Sequence, residues 1–359
     1  MKSRRSRIAL FATLAILGLA ARIALIATSR GGVELQYYAA VERAMSGGEG
    51  LYGTGLNNYA PIWAGVLRLV ELGSQGTGVP FETLVRSLIT AVDLLSAGVL
   101  WRIAAGRGTD PWKVAALFLV NPVSIWTTGF QGQFDNVSLL FLLIAVLRTP
   151  GRSATRDAGW PAMLSLALSV SIKQVTALHP ILWIRRVRHP AMVLAPYAFT
   201  AALFVPFLSE WRAIRDHVLR YSGVPRSYGL SELVLFDDRF SLPVGIVCFA
   251  AGLYTAWRLT EADLVRASLV VFLVLLFLAP GFGTQYAVWP LTVGVLTGGA
   301  GYFLVTATTL AWTLGSHFGI PGSGRWMGHL VWLSVGFWLF REAGRLARSR
   351  VPAAPENRV

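Results

Sequence analysis

Cysteine is almost absent from this chain: Cys248 is the only one in 359 residues. No intramolecular disulfide and no cysteine-based zinc cluster can form, and a single buried-type thiol says nothing about redox compartment. Charge is scarce too, at 14% of residues against 54% hydrophobic, with a mean hydropathy of +0.56. That balance excludes a soluble globular domain of ordinary composition. Acidic side chains number 18 against 32 basic ones, a net charge of +14, and lysine occurs only as Lys2, Lys113 and Lys173. The arginines fall between apolar segments rather than on a soluble basic domain. They read as the inner-face charge of a polytopic membrane protein and not as a nucleic-acid surface, so no nucleic-acid partner is expected.

The expected fold is therefore all-α, a bundle of transmembrane helices. Lys2, Arg4, Arg5 and Arg7 precede an apolar run from Ile8 to Thr28, which at about 20 residues is longer than a signal-peptide core and is read as a retained helix with its N-terminus inside. Placing the basic groups Arg102/Arg107/Lys113, Arg148/Arg152/Arg156, Arg185/Arg186/Arg188, Arg258 and Arg341/Arg345/Arg348/Arg350 on the cytoplasmic side gives further spans. These run near 83–104, 113–128, 136–148, 158–173, 176–186, 190–208, 241–259, 262–279, 285–298, 300–316 and 327–343. Counting the first helix, that makes about twelve crossings with both termini inside. Tyr59 to Leu72 breaks the parity and is expected as a juxtamembrane or re-entrant helix, started by Pro61 with Trp63 at the interface. The resulting organisation is a first helix over 1–28, an outer loop over 29–82, core helices over 83–188, variable C-terminal helices over 189–343 and a cytoplasmic tail over 344–359.

The most informative stretch is Gly129 to Asn136, Gly-Phe-Gln-Gly-Gln-Phe-Asp-Asn, set between two apolar arms. A carboxylate and several amides are costly there unless they line a wet cavity or a site. Several of the later spans are short and interrupted by Pro or Gly, as membrane helices around a cavity tend to be. On the topology above, Glu34, Glu42, Asp135, Lys173, Gln174, His179, the segment Glu210 to Phe240 and Gly281 to Tyr286 all reach the outer face. Asp135 has three readings: recognition of acceptor or sugar hydroxyls, joint holding of a divalent cation (Mg or Mn) with Glu34, or capping of the helix that follows. No His or Cys joins the two carboxylates, so no metal is required and no metal ligands are assigned. Gln131 and Gln133 suit sugar hydroxyls, since an amide both donates and accepts. Lys173 is either a site cation or a snorkelling residue at a helix end, and His179 either a site group or a packed histidine.

Taken in order, Asn58-Tyr59-Ala60-Pro61, Arg86 with Asp93-Leu94-Leu95, Asn121-Pro122 through Asn136, and Ile172-Lys173-Gln174 with His179-Pro180 resemble the GT-C glycosyltransferases. The likeness is to the dolichyl-phosphate-glucose glucosyltransferases, to the first mannosyltransferase of GPI-anchor synthesis and to bacterial polyprenyl-phosphate-sugar transferases. It covers roughly residues 30 to 185, with a further likeness at Gly281 to Tyr286 and Trp289-Pro290.

The resemblance implies a GT-C-like membrane fold. It also implies transfer of a hexose or pentose, with inversion, from a polyprenyl-phosphate-sugar to a lipid, glycan or protein acceptor of the cell envelope. The setting would be a bacterial inner membrane with the site facing outward. The family's acidic residue of the first outer loop, normally Asp, matches Glu34, which would be the base, with Asp135 beside it. Lys173 would neutralise the leaving phosphate, and Gln174, His179, Gln131, Gln133, Arg220, Tyr221, Gln285 and Tyr286 would bind substrate. Arg215 and Arg226 are further cation candidates. Two other readings stay open: a non-catalytic relative that binds lipid as a partner subunit, and a transporter or lipid flippase. The second would place gates on both faces, whereas the polar motifs here are one-sided.

Overall fold

The computed structural model describes residues 4–149, 158–220, 241–281, 283–321 and 323–348. Among them every regular element is helical. The α-helices are α1 (Arg4–Thr28), α2 (Val33–Ser46), α3 (Ile62–Thr77), α4 (Phe81–Gly106), α5 (Pro111–Leu119), α6 (Pro122–Ile125), α7 (Asp135–Arg148), α8 (Trp160–Ile172), α9 (Ala195–Leu203), α10 (Trp211–Ile214), α11 (Ser241–Arg258), α12 (Leu264–Leu278), α13 (Val288–Gly294), α14 (Ala300–His317) and α15 (Ser323–Arg348).

Two of these, α1 and α4, are long and apolar enough to cross a membrane alone, and up to 4 spans result if each of two bent pairs counts as one. The bent pairs are Pro111–Leu119 with Pro122–Gln131 (45°) and Pro190–Leu203 with Val205–Leu219 (59°). The other apolar helices are shorter: α8 has 13 residues and α12 has 15. At about 1.5 Å per residue they rise roughly 20 Å, less than a hydrocarbon core of about 30 Å.

The expected span over 176–186 is not a helix. Lys173 is extended (φ −151°, ψ 125°), and short 3-10 turns over Gln174–Thr176 and His179–Trp183 follow it. Pro180, with no N–H, suits the first turn of such a segment and not the interior of a span. The expected 190–208 span likewise breaks, into a 3-10 turn over Pro190–Leu194, α9 and a second 3-10 segment over Val205–Glu210.

The break inside the 113–128 segment is built by the sequence. Asp110 caps α5 by accepting from Trp112 N and Lys113 N, with Pro111 at the first position. Asn121 repeats the device, accepting from Val123 N and Ser124 N ahead of Pro122, while its Nδ2 donates to the Tyr302 and Thr306 hydroxyls at 2.9 and 3.1 Å. Proline at the first helical position loses nothing, because that N–H has no intrahelical partner. Helix α6 then opens into a π-helical turn over Trp126–Gln131 that stops at Gly132, φ +72°. A Cβ at Gly132 would stand 2.5 Å from Leu35 Cδ2, so both the backbone angle and the space call for glycine.

One buried ion pair fastens this break to its neighbours. Arg22 and Asp93 are 1% and 0% exposed, with Arg22 Nη2 2.8 Å from Asp93 Oδ2. Arg22 also donates to the carbonyls of Gly18 and Leu119 and to the hydroxyls of Ser124 and Thr128. Asp93 accepts from Ser124, Thr128 and Asn136 Nδ2. An ion pair this deep offsets its desolvation only if its remaining donors and acceptors are used, and here they are, across α1, α4, the broken α5/α6 segment and α7. Arg86 of α4 closes the other end of α1, donating to the carbonyls of Leu25, Ile26, Ser29 and Gly129.

Residues with opposite chemistry collect at the two ends of the bundle. At one, Arg107 forks onto Asp263, Arg185 pairs with Glu261, Arg186 donates to the Ala262 carbonyl and Arg7 lies 3.8 Å from Asp110. At the other, Gly32 N donates to the Phe130 carbonyl and Gln131 Nε2 to the Thr284 hydroxyl. Arg152, Arg156, Arg226 and Arg350 lie outside the described residues.

Candidate active site

Asp135 and Lys173, 38 residues apart, meet as a second buried ion pair: Lys173 Nζ donates to Asp135 Oδ2 at 2.6 Å, with the side chains 6% and 0% exposed. Trp289 Nε1 donates to the other carboxylate oxygen, Oδ1. The capping reading of Asp135 is therefore not what the structure has: it occupies the first turn of α7, whose start shows no side-chain cap. Its charge is aimed at Lys173 instead. The snorkelling reading of Lys173 is overturned for the same reason, since its ammonium turns inward, 4.8 Å from the Phe134 ring centroid and 5.3 Å from that of Tyr59. A cation over two aromatic faces in a desolvated place gains electrostatically from both.

The aromatic floor corrects two further expectations. Trp63 is not an interfacial anchor: it is 2% exposed and stacks on Phe134 with centroids 4.3 Å apart. Tyr38 and Tyr59 meet Phe134 edge-on at 5.8 and 4.9 Å. Glu42, read as reaching the outer face, is buried on α2, 2.7 Å from Arg68 and bonded to Ser46. It is spent on joining α2 to α3.

Glu34 lies in the first turn of α2 and is half-buried. A Cβ at Gly32 would stand 2.5 Å from Glu34 Oε2 and 3.0 Å from Gln131 Cα, which puts the carboxylate alongside the Gly129–Asn136 stretch. Tyr38, buried on α2, stands against Trp63 and Phe134. Its hydroxyl is held well above the ordinary tyrosine range, first by burial and then by the neighbouring Tyr59, Asp135 and Glu34. Gln131 adds a buried side-chain oxygen with no hydrogen-bond partner among the described residues, an acceptor waiting for a donor. Gln133 is buried.

Lys173 and Trp289 also line a cavity of about 700 Å³, whose other walls include Tyr59, Leu178, Phe204, Phe249 and Leu276. Tyr286, stacked on Trp289 at 4.5 Å, lines it as well, and so does Gln174, whose Nε2 donates to the Asn58 carbonyl. His179 is apart from this space, fully buried with its ring 4.3 Å from that of Phe272; it is a packed core histidine. Gln285 is half-buried beside Gly283 and does not line the cavity. Arg220 and Arg215 are exposed and engaged with Asp216, which their hydrogen bonds and charges hold below the usual carboxylate range. Arg220 follows Val218 and Leu219, which do line the cavity, so it stands at the rim rather than beside Lys173. Tyr221 lies outside the described residues.

The donor set does not fit a divalent cation shared by Asp135 and Glu34. Both Asp135 oxygens are already occupied, one by the Lys173 ammonium and the other by the Trp289 indole N–H. Trp289, Tyr38 and Phe134 are the members of this site that sequence reading missed. Aromatic residues next to a lone intramembrane carboxylate are the signal that could have found Phe134; nothing in the pattern singles out Trp289 as a donor to it. Comparison of the chain with family models, with curated proteins and with solved structures finds no match in any of the three.

Proposed function

We propose that the chain is a membrane glycosyltransferase of GT-C type. It moves a hexose or pentose from a polyprenyl-phosphate-linked donor to a hydroxyl acceptor at the end of the bundle that holds Glu34 and Lys173. The observation that carries the reading is the pairing of one buried cation with an apolar cavity: Lys173 stands in the wall of a space of about 700 Å³ lined mainly by aliphatic and aromatic side chains. A phosphate carried on a lipid needs that combination, a cation for the head and an apolar channel for the tail. Glu34 and the unpartnered Gln131 oxygen supply what the acceptor side needs, a half-exposed carboxylate and a hydroxyl-binding amide.

In the proposed reaction the Glu34 carboxylate takes the acceptor hydroxyl's proton as its oxygen attacks the anomeric carbon. The bond from that carbon to the phosphate oxygen breaks with its electron pair, leaving polyprenyl phosphate and an inverted glycoside. The charge that grows on the phosphate is met by Lys173, whose position is fixed by Asp135, and a cation placed in advance in a water-poor site stabilises it more than one in bulk water. The topology that goes with the reading is multi-pass with fewer than the twelve crossings expected, because the 176–186 segment and the other short or broken helices close the cavity rather than each spanning lipid. It sets the site on the outward face of a bacterial inner membrane.

One observation favours the lipid-binding subunit as a second reading: Lys173 is already neutralised by Asp135, so the cavity would hold a lipid without any chemistry at Glu34. Sugar transfer in proteoliposomes, with polyprenyl-phosphate-sugar accessible only on the side of Glu34, decides between them. Transfer that is lost in Glu34→Gln supports the enzyme. Donor binding with no transfer to any hydroxyl acceptor supports the subunit.

A further inference from the structure

A second cavity, of about 680 Å³, lies at the opposite end of α1 between that helix and α5. From Arg7 to Thr28 along α1 is about 32 Å at 1.5 Å per residue, so this space is remote from the site described above. Its mouth carries Arg7 and Lys113, one cation from each helix, with Asp110 between them. Asp110 is largely committed: Oδ1 accepts from Trp112 N and Lys113 N at 3.1 and 3.3 Å, and Oδ2 reaches Arg7 only at 3.8 Å, too far for a hydrogen bond. Lys113 is exposed and has no hydrogen bond or ion pair from its ammonium among the described residues. Two neighbouring arginines of this end are engaged, Arg107 with Asp263 and Arg185 with Glu261. Below the cations the walls are apolar. Trp112 packs on Phe11 with centroids 5.1 Å apart, and Leu10, Leu14 and Leu117 continue the surface along the helices. Leu10 is 50% exposed, and on the same helix Ile16 and Leu17 are 67% and 57% exposed, so α1 turns an apolar face outward.

The geometry points to a binding site for one anionic glycerophospholipid of phosphatidylglycerol type in this cavity, its phosphate between Arg7 and Lys113 and its acyl chains against Phe11, Leu14 and Trp112. Each half of the cavity selects against a different competitor. A free anion leaves the apolar walls wet, and a zwitterionic lipid brings a quaternary ammonium up to two cations and only one, already used, carboxylate. Basic pockets between membrane helices at the cytoplasmic surface bind anionic headgroups by this combination. The site does not depend on the glycosyltransferase reading.

Trp112 is its own reporter. Full-length protein is placed in phosphatidylcholine nanodiscs that contain either brominated phosphatidylglycerol or brominated phosphatidylcholine, and the Trp112 share of fluorescence quenching is isolated by comparison with Trp112→Phe. Brominated phosphatidylglycerol should quench that share with a roughly tenfold higher relative affinity. Arg7→Gln/Lys113→Gln should bring the ratio close to one, whereas Arg7→Lys/Lys113→Arg and the paired-cation control Arg107→Gln should keep it. Equal quenching by the two lipids in the wild type overturns the proposal, as does a preference that survives in a folded Arg7→Gln/Lys113→Gln variant. Full recovery of fluorescence on adding inorganic phosphate would assign the cations to a soluble anion and overturn it as well. If the glutamine variant fails to fold, the wild-type ratio and the charge-keeping variant still decide.

Discussion

Removing Lys173 and Asp135 singly and together separates what their pair does for folding from what it does for chemistry. The two groups are 2.6 Å apart, and their side chains are 6% and 0% exposed, so solvent screens little of the interaction. Taking one charge away leaves the other buried without compensation, which costs ~3–5 kcal/mol. Lys173→Met belongs near the lower figure, because Asp135 keeps the Trp289 indole as a donor. Asp135→Asn leaves an ammonium that still has two aromatic faces, at 4.8 and 5.3 Å. The double variant has no unpaired charge, and replacing a buried pair by neutral groups is often neutral or stabilising. Its stability should return to near the wild-type value, so the two single losses of ~3 kcal/mol or more cancel in the double and the coupling energy is about 6 kcal/mol, where independent sites would show under ~0.5 kcal/mol. Turnover should not return, because the cation that meets the leaving phosphate is gone in the double as in Lys173→Met. The assay is thermal or denaturant unfolding of purified protein alongside sugar transfer in proteoliposomes. Additive destabilisation would refute the pairing. Recovery of turnover together with stability would show the pair to be scaffold alone and move the phosphate cation elsewhere.

Three further outcomes follow from the same geometry. Glu34→Gln keeps the shape of the first turn of α2 and removes the base, so turnover should vanish while donor affinity stays within about twofold of wild type, read by single-turnover transfer and donor-binding titration; undiminished transfer would eliminate Glu34. A reporter active only on the outer side should give signal when fused after Gly31, Asp135 or Gly283 and none after Arg107 or Arg348, and a signal at Arg107 would overturn the assignment of the two ends. At the basic end, burial alone would raise the Asp263 carboxyl, but the Arg107 fork, with Arg266, outweighs it and holds the group below the usual carboxylate range. The folded value thus lies below the unfolded one of about 3.9, so the stabilisation is present above that pH and lost as pH falls through the folded value. With Asp263 36% exposed the pair is worth no more than about 1 kcal/mol; Arg107→Gln should lower stability by that much at neutral pH, and the difference should close in acid.

Helix ends were legible in this sequence where their chemistry is local. Asp110-Pro111 and Asn121-Pro122 each carry a capping side chain followed by a proline at the first position, and each caps its helix, although the span expected over 113–128 runs through the second of them unbroken. Gly129 to Asn136 stood out because polar groups between apolar arms need partners, and it does hold Asp135 and Gln131 at the site. Which face of a helix turns inward was not legible. The outer-loop reading puts Trp63 at the interface and Glu42 at the outer face, because nothing in the sequence says that α3 stacks on Phe134 or that Glu42 pairs with Arg68. Arg22 should have been found: a single arginine inside the apolar run of α1 requires a partner by the reasoning applied to Asp135. The partner, Asp93, is 71 residues away and could not be named from spacing.

The two buried ion pairs are built to opposite ends, and their connection locates the site. Arg22 and Asp93 use their donors and acceptors on protein groups, so no charge is left facing a cavity and the pair can only hold helices together. Lys173, by contrast, lines an apolar space large enough for a lipid-borne substrate, and the Asp135 that holds it is the immediate neighbour of Asn136. Asn136 donates to Asp93, and the start of α7 is thereby fixed against α4. The closed pair sets the first turn of α7, that turn aims Asp135, and Asp135 sets Lys173 over the Phe134 and Tyr59 rings at the cavity wall. A carboxylate buried against an ammonium in this way has a cost that packing does not explain, since Leu or Met at both positions would fill the same volume without desolvating charge. The cost is understandable if the cation must be held, oriented and dry before an anionic ligand arrives.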